Sequence, residues 1–246
     1  MAMDRKNILI LGGTGEARAL ANALVARGDQ VTTALAGRTS VPNLPDGEVR
    51  IGGFGGVDGL ARYLGEAQID RLVLATHPYA EQISRHAVLA ASATGVALLR
   101  LMRPAWVAPA GVHWHDVPSI DDAVAALPVG ARVLLTTGHA GFSQFLSRRD
   151  YDVLVRSIEA PTVPLPANAK LVLSRPPYSL EGEMALLRTE AITHLVTKNS
   201  GGEQTVAKLA AAQTLGVTVV MIARPRHLPA PEVTSVDAAL SALERA

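Results

Sequence analysis

The chain of 246 residues is long enough for two compact units, since single domains commonly hold about 100 to 150 residues. Nearly half of it is apolar but only 4% is aromatic, so the core must be built from Ala, Val and Leu, a palette suited to parallel strands buried beneath helices. Its 23 basic and 22 acidic residues form no run of like charge and leave a formal charge of +1, which argues against nucleic-acid or membrane-surface binding; the lack of cysteine excludes disulfides, thiolate catalysis and cysteine-ligated metals. No stretch is apolar for long enough to span a bilayer, and the first glycine pair arrives before a signal-peptide core can form. The expectation is a soluble, cytoplasmic protein, monomeric or weakly homo-oligomeric.

From the amino terminus, short apolar runs alternate with segments of helical period, the mark of a doubly wound α/β sheet. The pattern predicts strands at Asn7–Leu11, Val31–Ala36, Leu72–Ala75 and Ala97–Leu101, with helices over Glu16–Arg27, Asp58–Glu66 and Ala80–Thr94. A second series follows, with strands at Arg132–Thr136, Val153–Ser157, Leu171–Ser174, His194–Val196 and Thr218–Ala223. Its helices are expected over Gly141–Arg148, Leu180–Glu190, Glu203–Leu215 and Val236–Glu244. The two series resemble each other: "GVALLRLMRP" ending at Pro104 matches "GVTVVMIARP" ending at Pro225, and "PSIDDAVAALP" matches "TSVDAALSALE". This points to two homologous or convergent halves joined near Leu127–Gly130, the alternative being that any two βαβ domains of Ala/Val/Leu composition look alike. The expected architecture is therefore two doubly wound Rossmann-like domains, residues 1–128 and 129–246, with mainly parallel sheets and a ligand cleft between them.

In such sheets ligands sit beyond the carboxyl ends of the strands, so the loops that follow strands carry the functional signal. "GGTGEAR" places Gly12, Gly13, Thr14, Gly15 and Glu16 where backbone N–H groups and a helix N-terminus can meet a pyrophosphate, although Arg18 stands where the full dinucleotide fingerprint has a small residue and such a turn also serves only to pack a helix closely. The next strand ends in "TTALAGRTS", which lacks the acid that would hold the ribose hydroxyls of NAD and offers Arg38 and Thr39 instead. A guanidinium there suits the extra phosphate of NADPH, although an exposed loop arginine also accounts for it. In "ATHPYAEQ", His77 and Tyr79 could donate a proton or simply orient a ring. In "TKNSGGEQT", Lys198, Asn199, Ser200, Gly201 and Gly202 offer cationic, amide and backbone donors to an anion; the alternative is a helix cap with flexible glycines. Arg100, Arg103, Arg175 and Arg224 gather at comparable strand ends and point to a substrate with several carboxylates or phosphates, or to a solvated rim. His113 and His115 of "HWH" would share one face of a strand, but two ligands without a third make no metal site, and no metal is expected.

Together these stretches resemble the precorrin-6A reductase family of cobalamin biosynthesis. The resemblance rests on "ILILGGTGEARALA", "LAGRT", "IGGFGG", "ATHPYAEQIS", "LRLMRPAW", "LLTTG" and "VTKNSGGEQTVAKLAAAQTLGVTVVMIARP", in family order across nearly the whole chain. It implies an NADPH-dependent oxidoreductase that transfers hydride to one double bond of a polycarboxylated tetrapyrrole, converting precorrin-6A to precorrin-6B. Within the matching stretches, Thr76 joins the cofactor-binding set and Gly138 the substrate-binding set. His77, Tyr79 and Lys198 are the catalytic candidates. Where the family often has an Asp before "ATHPYA" this chain has Leu74, so no acid is assigned there; where it often reads Arg-Gly-Pro-Phe, this chain reads "RPPY" from Arg175 to Tyr178.

Two other classes compete. A reductase or epimerase of extended Rossmann type should carry a Tyr-x-x-x-Lys pair, yet Tyr63, Tyr79, Tyr151 and Tyr178 are followed four residues later by Ala67, Ile83, Val155 and Gly182. A non-catalytic NADPH sensor would use the first glycine turn but would not need a second set of anion-binding loops.

Overall fold

The computed structural model describes residues 5–37, 43–162 and 164–245. Arg38 and Thr39 lie outside the described residues. In chain order the elements are β1 (Asn7–Leu11), α1 (Gly15–Ala26), β2 (Gln30–Leu35), β3 (Glu48–Ile51), α2 (Gly56–Glu66), β4 (Arg71–Leu74), α3 (Glu81–Thr94) and β5 (Ala97–Leu101). There follow β6 (His115–Val117), α4 (Ile120–Ala125), β7 (Arg132–Leu135), α5 (Phe142–Ser147), β8 (Asp152–Ser157), β9 (Ala169–Leu173), α6 (Leu180–Thr189) and β10 (His194–Lys198). A 3-10 turn at Glu203–Thr205, α7 (Ala207–Leu215), β11 (Thr218–Ile222), β12 (Glu232–Val233) and α8 (Val236–Arg245) complete the chain. No helix among the described residues is long and apolar enough to cross a membrane.

The strands form two six-stranded sheets, ordered β3-β2-β1-β4-β5-β12 and β9-β8-β7-β10-β11-β6. Every neighbouring pair runs parallel. Each sheet thus has the doubly wound order in which five strands come from one half of the chain and the sixth closes the edge. The expected α/β class and the repeat are both visible in these matching orders. The sixth strands, however, are exchanged.

The chain divides into Met1–Pro104 with Pro225–Ala246, and Ala105–Arg224. The expected joint at Leu127–Gly130 is therefore corrected. Residues 105–126 belong with the second half because β6 pairs with β11, Val220 opposite His115 and Ile222 opposite Val117. Residues 225–246 belong with the first because β12 pairs with β5. α8 completes that assignment by burying Ala239 and Leu243 against Leu20 and Leu24 of α1. Lys6 Nζ donates to Leu243 O at 2.7 Å, and Arg27 pairs with Glu244 at 3.0 Å. The strand expected around "HWH" starts only at His115. His113 and His115 are both exposed, and no cluster of metal-ligating side chains occurs among the described residues.

Burial on both faces explains why the first strand is apolar throughout rather than alternating. Ile8 and Ile10 face α1 and α8, while Leu9 and Leu11 face α2 and α3, and all four are at most 1% exposed. α1 meets its face with Ala17, Leu20, Ala21 and Leu24, the i, i+3, i+4, i+7 stripe of a core-facing helix. In the second unit Leu134, Leu154 and Leu195 pack on Leu187 of α6 and on Leu209, Ala211 and Ala212 of α7.

Gly12 is dictated by this packing. A Cβ there would sit 2.8 Å from Cγ2 of Thr33, itself 1% exposed on β2. Overpacking of this kind costs about 1–3 kcal/mol. Gly12→Ala should lower the urea midpoint accordingly, and Thr33→Ser, which removes the opposing methyl, should make the double variant more stable than Gly12→Ala alone.

Candidate active site

Parallel pairing puts all the strand carboxyl ends of a sheet on one edge, and a ligand crevice opens there where the strand order reverses. In the first unit the reversal lies between β1 and β4. A small concavity sits there, lined by Thr14 and Glu16 from the loop after β1, Thr76 and Pro78 from the loop after β4, and Leu101, Met102 and Arg103 at the end of β5.

Thr14 organises it. Its backbone is extended and its hydroxyl accepts from Ala17 N at 3.1 Å, capping α1, while donating to Ala75 O at 2.8 Å. Gly13 is exposed with φ +114°, a backbone conformation that disfavours any side chain, and nothing lies within 4 Å of where a Cβ would project. The N–H groups of Gly15 and Glu16 fall in the first helical turn, which has no intrahelical acceptors for them. This is an open backbone cradle for an anion at the start of a 12-residue helix, and it fits a dinucleotide pyrophosphate. The Glu16 carboxylate would oppose such an anion, but Arg103 Nη1 pairs with it at 2.9 Å. Arg103, expected to hold substrate, thus lies in the first unit's crevice as the countercharge to Glu16.

The loop after β4 is held on itself and from outside. Tyr79 N donates to His77 Nδ1 at 3.3 Å and Ala80 N to His77 O at 2.8 Å, and the two rings stand 5.7 Å apart. His227 Nε2 reaches Pro78 O at 2.8 Å. Arg100, by contrast, is 4% exposed, with its guanidinium on Leu228 O at 2.7 Å and Glu232 at 3.2 Å. Its geometry is that of a tie between β5 and the returning segment.

The second unit carries the corresponding loops after β7, β8, β9, β10 and β11. Gly138 has φ +68°, and Thr137 beside it donates to Ala140 O at 2.9 Å. Asn199 clasps the backbone of Trp106, accepting from its N at 2.8 Å and donating to its O at 3.0 Å, while Trp106 Nε1 donates to Gly202 O at 3.0 Å. Arg224 Nε donates to Asn199 O at 2.7 Å. Asn199 and Arg224 therefore shape the Lys198–Gly202 loop. Gly201 and Gly202 provide its positive φ angles, +67° and +80°, and Ser200 N turns back onto Lys198 O at 2.7 Å. Arg175 is 46% exposed and approaches Glu159 at 4.0 Å. Beneath its loop, buried Arg156 pairs with Glu183 and stacks 4.1 Å from the Tyr178 ring.

Arg156, Trp106 and His227 are the participants that sequence reasoning passed over. Trp106 lay within a matching stretch, but Arg156 follows an apolar run, Val153–Val155, with nothing local to mark it, and His227 stands in a proline-rich segment without period. The clearly shifted acid–base groups lie elsewhere. Burial lowers the pKa of His194, the first residue of β10, and raises that of Tyr151, whose hydroxyl donates to Phe145 O at 2.8 Å. Both sit at the amino ends of strands, so these shifts reflect packing.

With this geometry in place, comparison with known proteins decides the relationship. The family described as precorrin-6x reductase CbiJ/CobK matches residues 7–244. The chain belongs to this family. It is 49% identical to precorrin-6A reductase of Rhodococcus erythropolis over 227 residues, 92% of each chain. It is 48% identical to precorrin-6A reductase of Mycobacterium tuberculosis (strain H37Rv) over 232 residues, 94% of this chain and 93% of the relative. The solved structure of CobK precorrin-6A reductase superposes with a TM-score of 0.93 at 40% identity, covering 98% of this chain and 96% of that one. Membership of this reductase family implies a hydride donor.

The Glu16–Arg103 pair yields a charge-balance prediction. Arg103→Ala should weaken binding of inorganic pyrophosphate, read by calorimetry, by about tenfold, the loss of roughly 1.4 kcal/mol of charge-assisted interaction. Adding Glu16→Gln, which removes the uncompensated carboxylate, should recover most of that loss.

Proposed function

We propose that the chain is a precorrin-6A reductase of cobalamin biosynthesis that uses NADPH. The observation that carries this reading is similarity along nearly the full length to proteins of that name, coinciding with an anion cradle at the switch point of the first sheet. The reaction adds a hydride and a proton across one double bond of the macrocycle and releases NADP⁺. NADPH, when bound, supplies the hydride.

The chain's own work is binding and placement. Gly13 and the first-turn amides of Gly15 and Glu16 receive the pyrophosphate, with Thr14 fixing the helix start and Arg103 offsetting Glu16. Arg38 and Thr39 are proposed for the 2′-phosphate on the sequence alone. Thr76 lines the crevice beside Thr14, and His77 and Tyr79 are the polar side chains offered by the same loop. The carboxylates of the tetrapyrrole are proposed for the second unit's cationic loops, through Arg175, Lys198 and the turn of Ser200, Gly201 and Gly202 beside Gly138. Asn199 and Arg224 support that surface by shaping its backbone, and Arg100 is left to its tie with Glu232. His77, Tyr79 and Lys198 remain the groups proposed to deliver or direct the proton.

Anaerobic incubation with precorrin-6A and NADPH tests the reading, with nicotinamide absorbance and the macrocycle spectrum followed together. Coupled changes are expected; folded protein that produces neither overturns it. Arg38→Ala should raise the Kd for NADPH by about 10- to 100-fold, the worth of one or two charge-assisted hydrogen bonds, and leave that for NADH within about twofold.

A further inference from the structure

The segment that returns to the first unit does more than close its sheet. Between Arg224 and β12 it runs "PRHLPAP", and three residues of it, His227, Leu228 and Pro231, are tied to the unit. Leu228 O accepts from Arg100 Nη2 at 2.7 Å, while Arg100 N donates to Pro231 O at 2.8 Å, so buried Arg100 holds the segment from both its side chain and its backbone. Beside Leu228, the ring of His227 reaches out to Pro78 O at 2.8 Å. A carbonyl oxygen can only accept, so His227 Nε2 carries the proton in this contact. Pro78 has no N–H, and it lines the switch-point crevice with Thr14, Thr76 and Arg103.

We infer that His227 is a positioning residue: by donating Nε2–H to Pro78 O it fixes the crevice wall formed by the loop after β4, and Arg100 holds the segment from which it acts. The base of that loop is secured independently, by Thr14 Oγ1 on Ala75 O and by Ala75 N on Leu11 O at 2.9 Å. His227 acts three residues further out, beside His77 and Tyr79. Its loss should therefore leave the anion cradle at α1 intact and loosen the part of the wall that carries the two aromatic side chains. A misplacement of about 1 Å at a reacting centre can cost on the order of 100-fold in rate.

The test uses three variants of the full chain. His227→Phe keeps a flat ring without a donor, His227→Gln sets an amide NH₂ near the place of Nε2, and His227→Asn sets one too short to reach. Hydrogen exchange of the cofactor-free protein, read at the amides of Tyr79 and Ala80, needs no assumption about the reaction. It should quicken at least fivefold in His227→Phe and His227→Asn and return to the wild-type rate in His227→Gln. The second readout rests on the proposed function: single-turnover oxidation of NADPH by precorrin-6A should slow at least tenfold in His227→Phe, while the Kd for NADP⁺ changes less than threefold. Unchanged exchange in His227→Phe overturns the inference, as does His227→Gln exchanging as fast as His227→Phe. Wild-type protein that fails to oxidise NADPH while the exchange pattern holds overturns the proposed function and leaves the positioning role standing.

Discussion

The hydroxyl of Thr14 makes two hydrogen bonds on which the first unit's ligand edge depends. Accepting from Ala17 N, it sets where α1 begins and so where the unpaired amides at its start point. Donating to Ala75 O, it ties the turn after β1 to the loop after β4 across the reversal in strand order. One side chain thus fixes both lips of the crevice relative to each other. The packing beneath it allows little else: Gly12 is pressed against Thr33, and Leu11 and Leu74 are buried in the same layer.

The second constraint is the exchange of sixth strands. Each half of the chain builds five parallel strands and closes the other half's sheet with its last short strand and helix. For the first unit this brings in α8, which covers the α1 face of the sheet, and the segment carrying His227. Arg100 shows the consequence for function. Its place beside the ligand edge made it a candidate for substrate, yet its contacts are with Leu228 and Glu232 of the incoming segment.

Much of this was legible in the sequence because it is encoded locally. The run from Ile8 to Leu11, the Gly-Gly-Thr-Gly turn and the Ala/Leu stripe of α1 each declare a strand, a turn and a helix within a few residues, and nine strands fall within two residues of expectation. Helix Ala207–Leu215 starts later than expected because a 3-10 turn precedes it. The short edge strands β3 and β12 and helix α4 were not anticipated, and β6 was placed two residues too early, around "HWH". Two to six residues carry too little period to be recognised, and the pairing of β12 with β5 is made by residues more than a hundred positions apart. The same distance hid the exchange: the repeat "PSIDDAVAALP" and "TSVDAALSALE" was readable, but which sheet each copy joins is decided by edge pairing and by the burial of Ala239 and Leu243. Site residues divided likewise. The glycine turn revealed itself by residue type, whereas the clasp of Asn199 on Trp106 and the pairing of Glu16 with Arg103 join residues that only the fold brings together.

The proposed reaction moves a hydride from a nicotinamide dinucleotide to the tetrapyrrole. The most direct measurement is the mass of the product formed anaerobically from precorrin-6A with NADPH deuterated at C4, the two C4 epimers being used in turn. One deuterium is expected in the product from one epimer and none from the other. Product that carries no deuterium from either, or folded protein that forms no product, would contradict it.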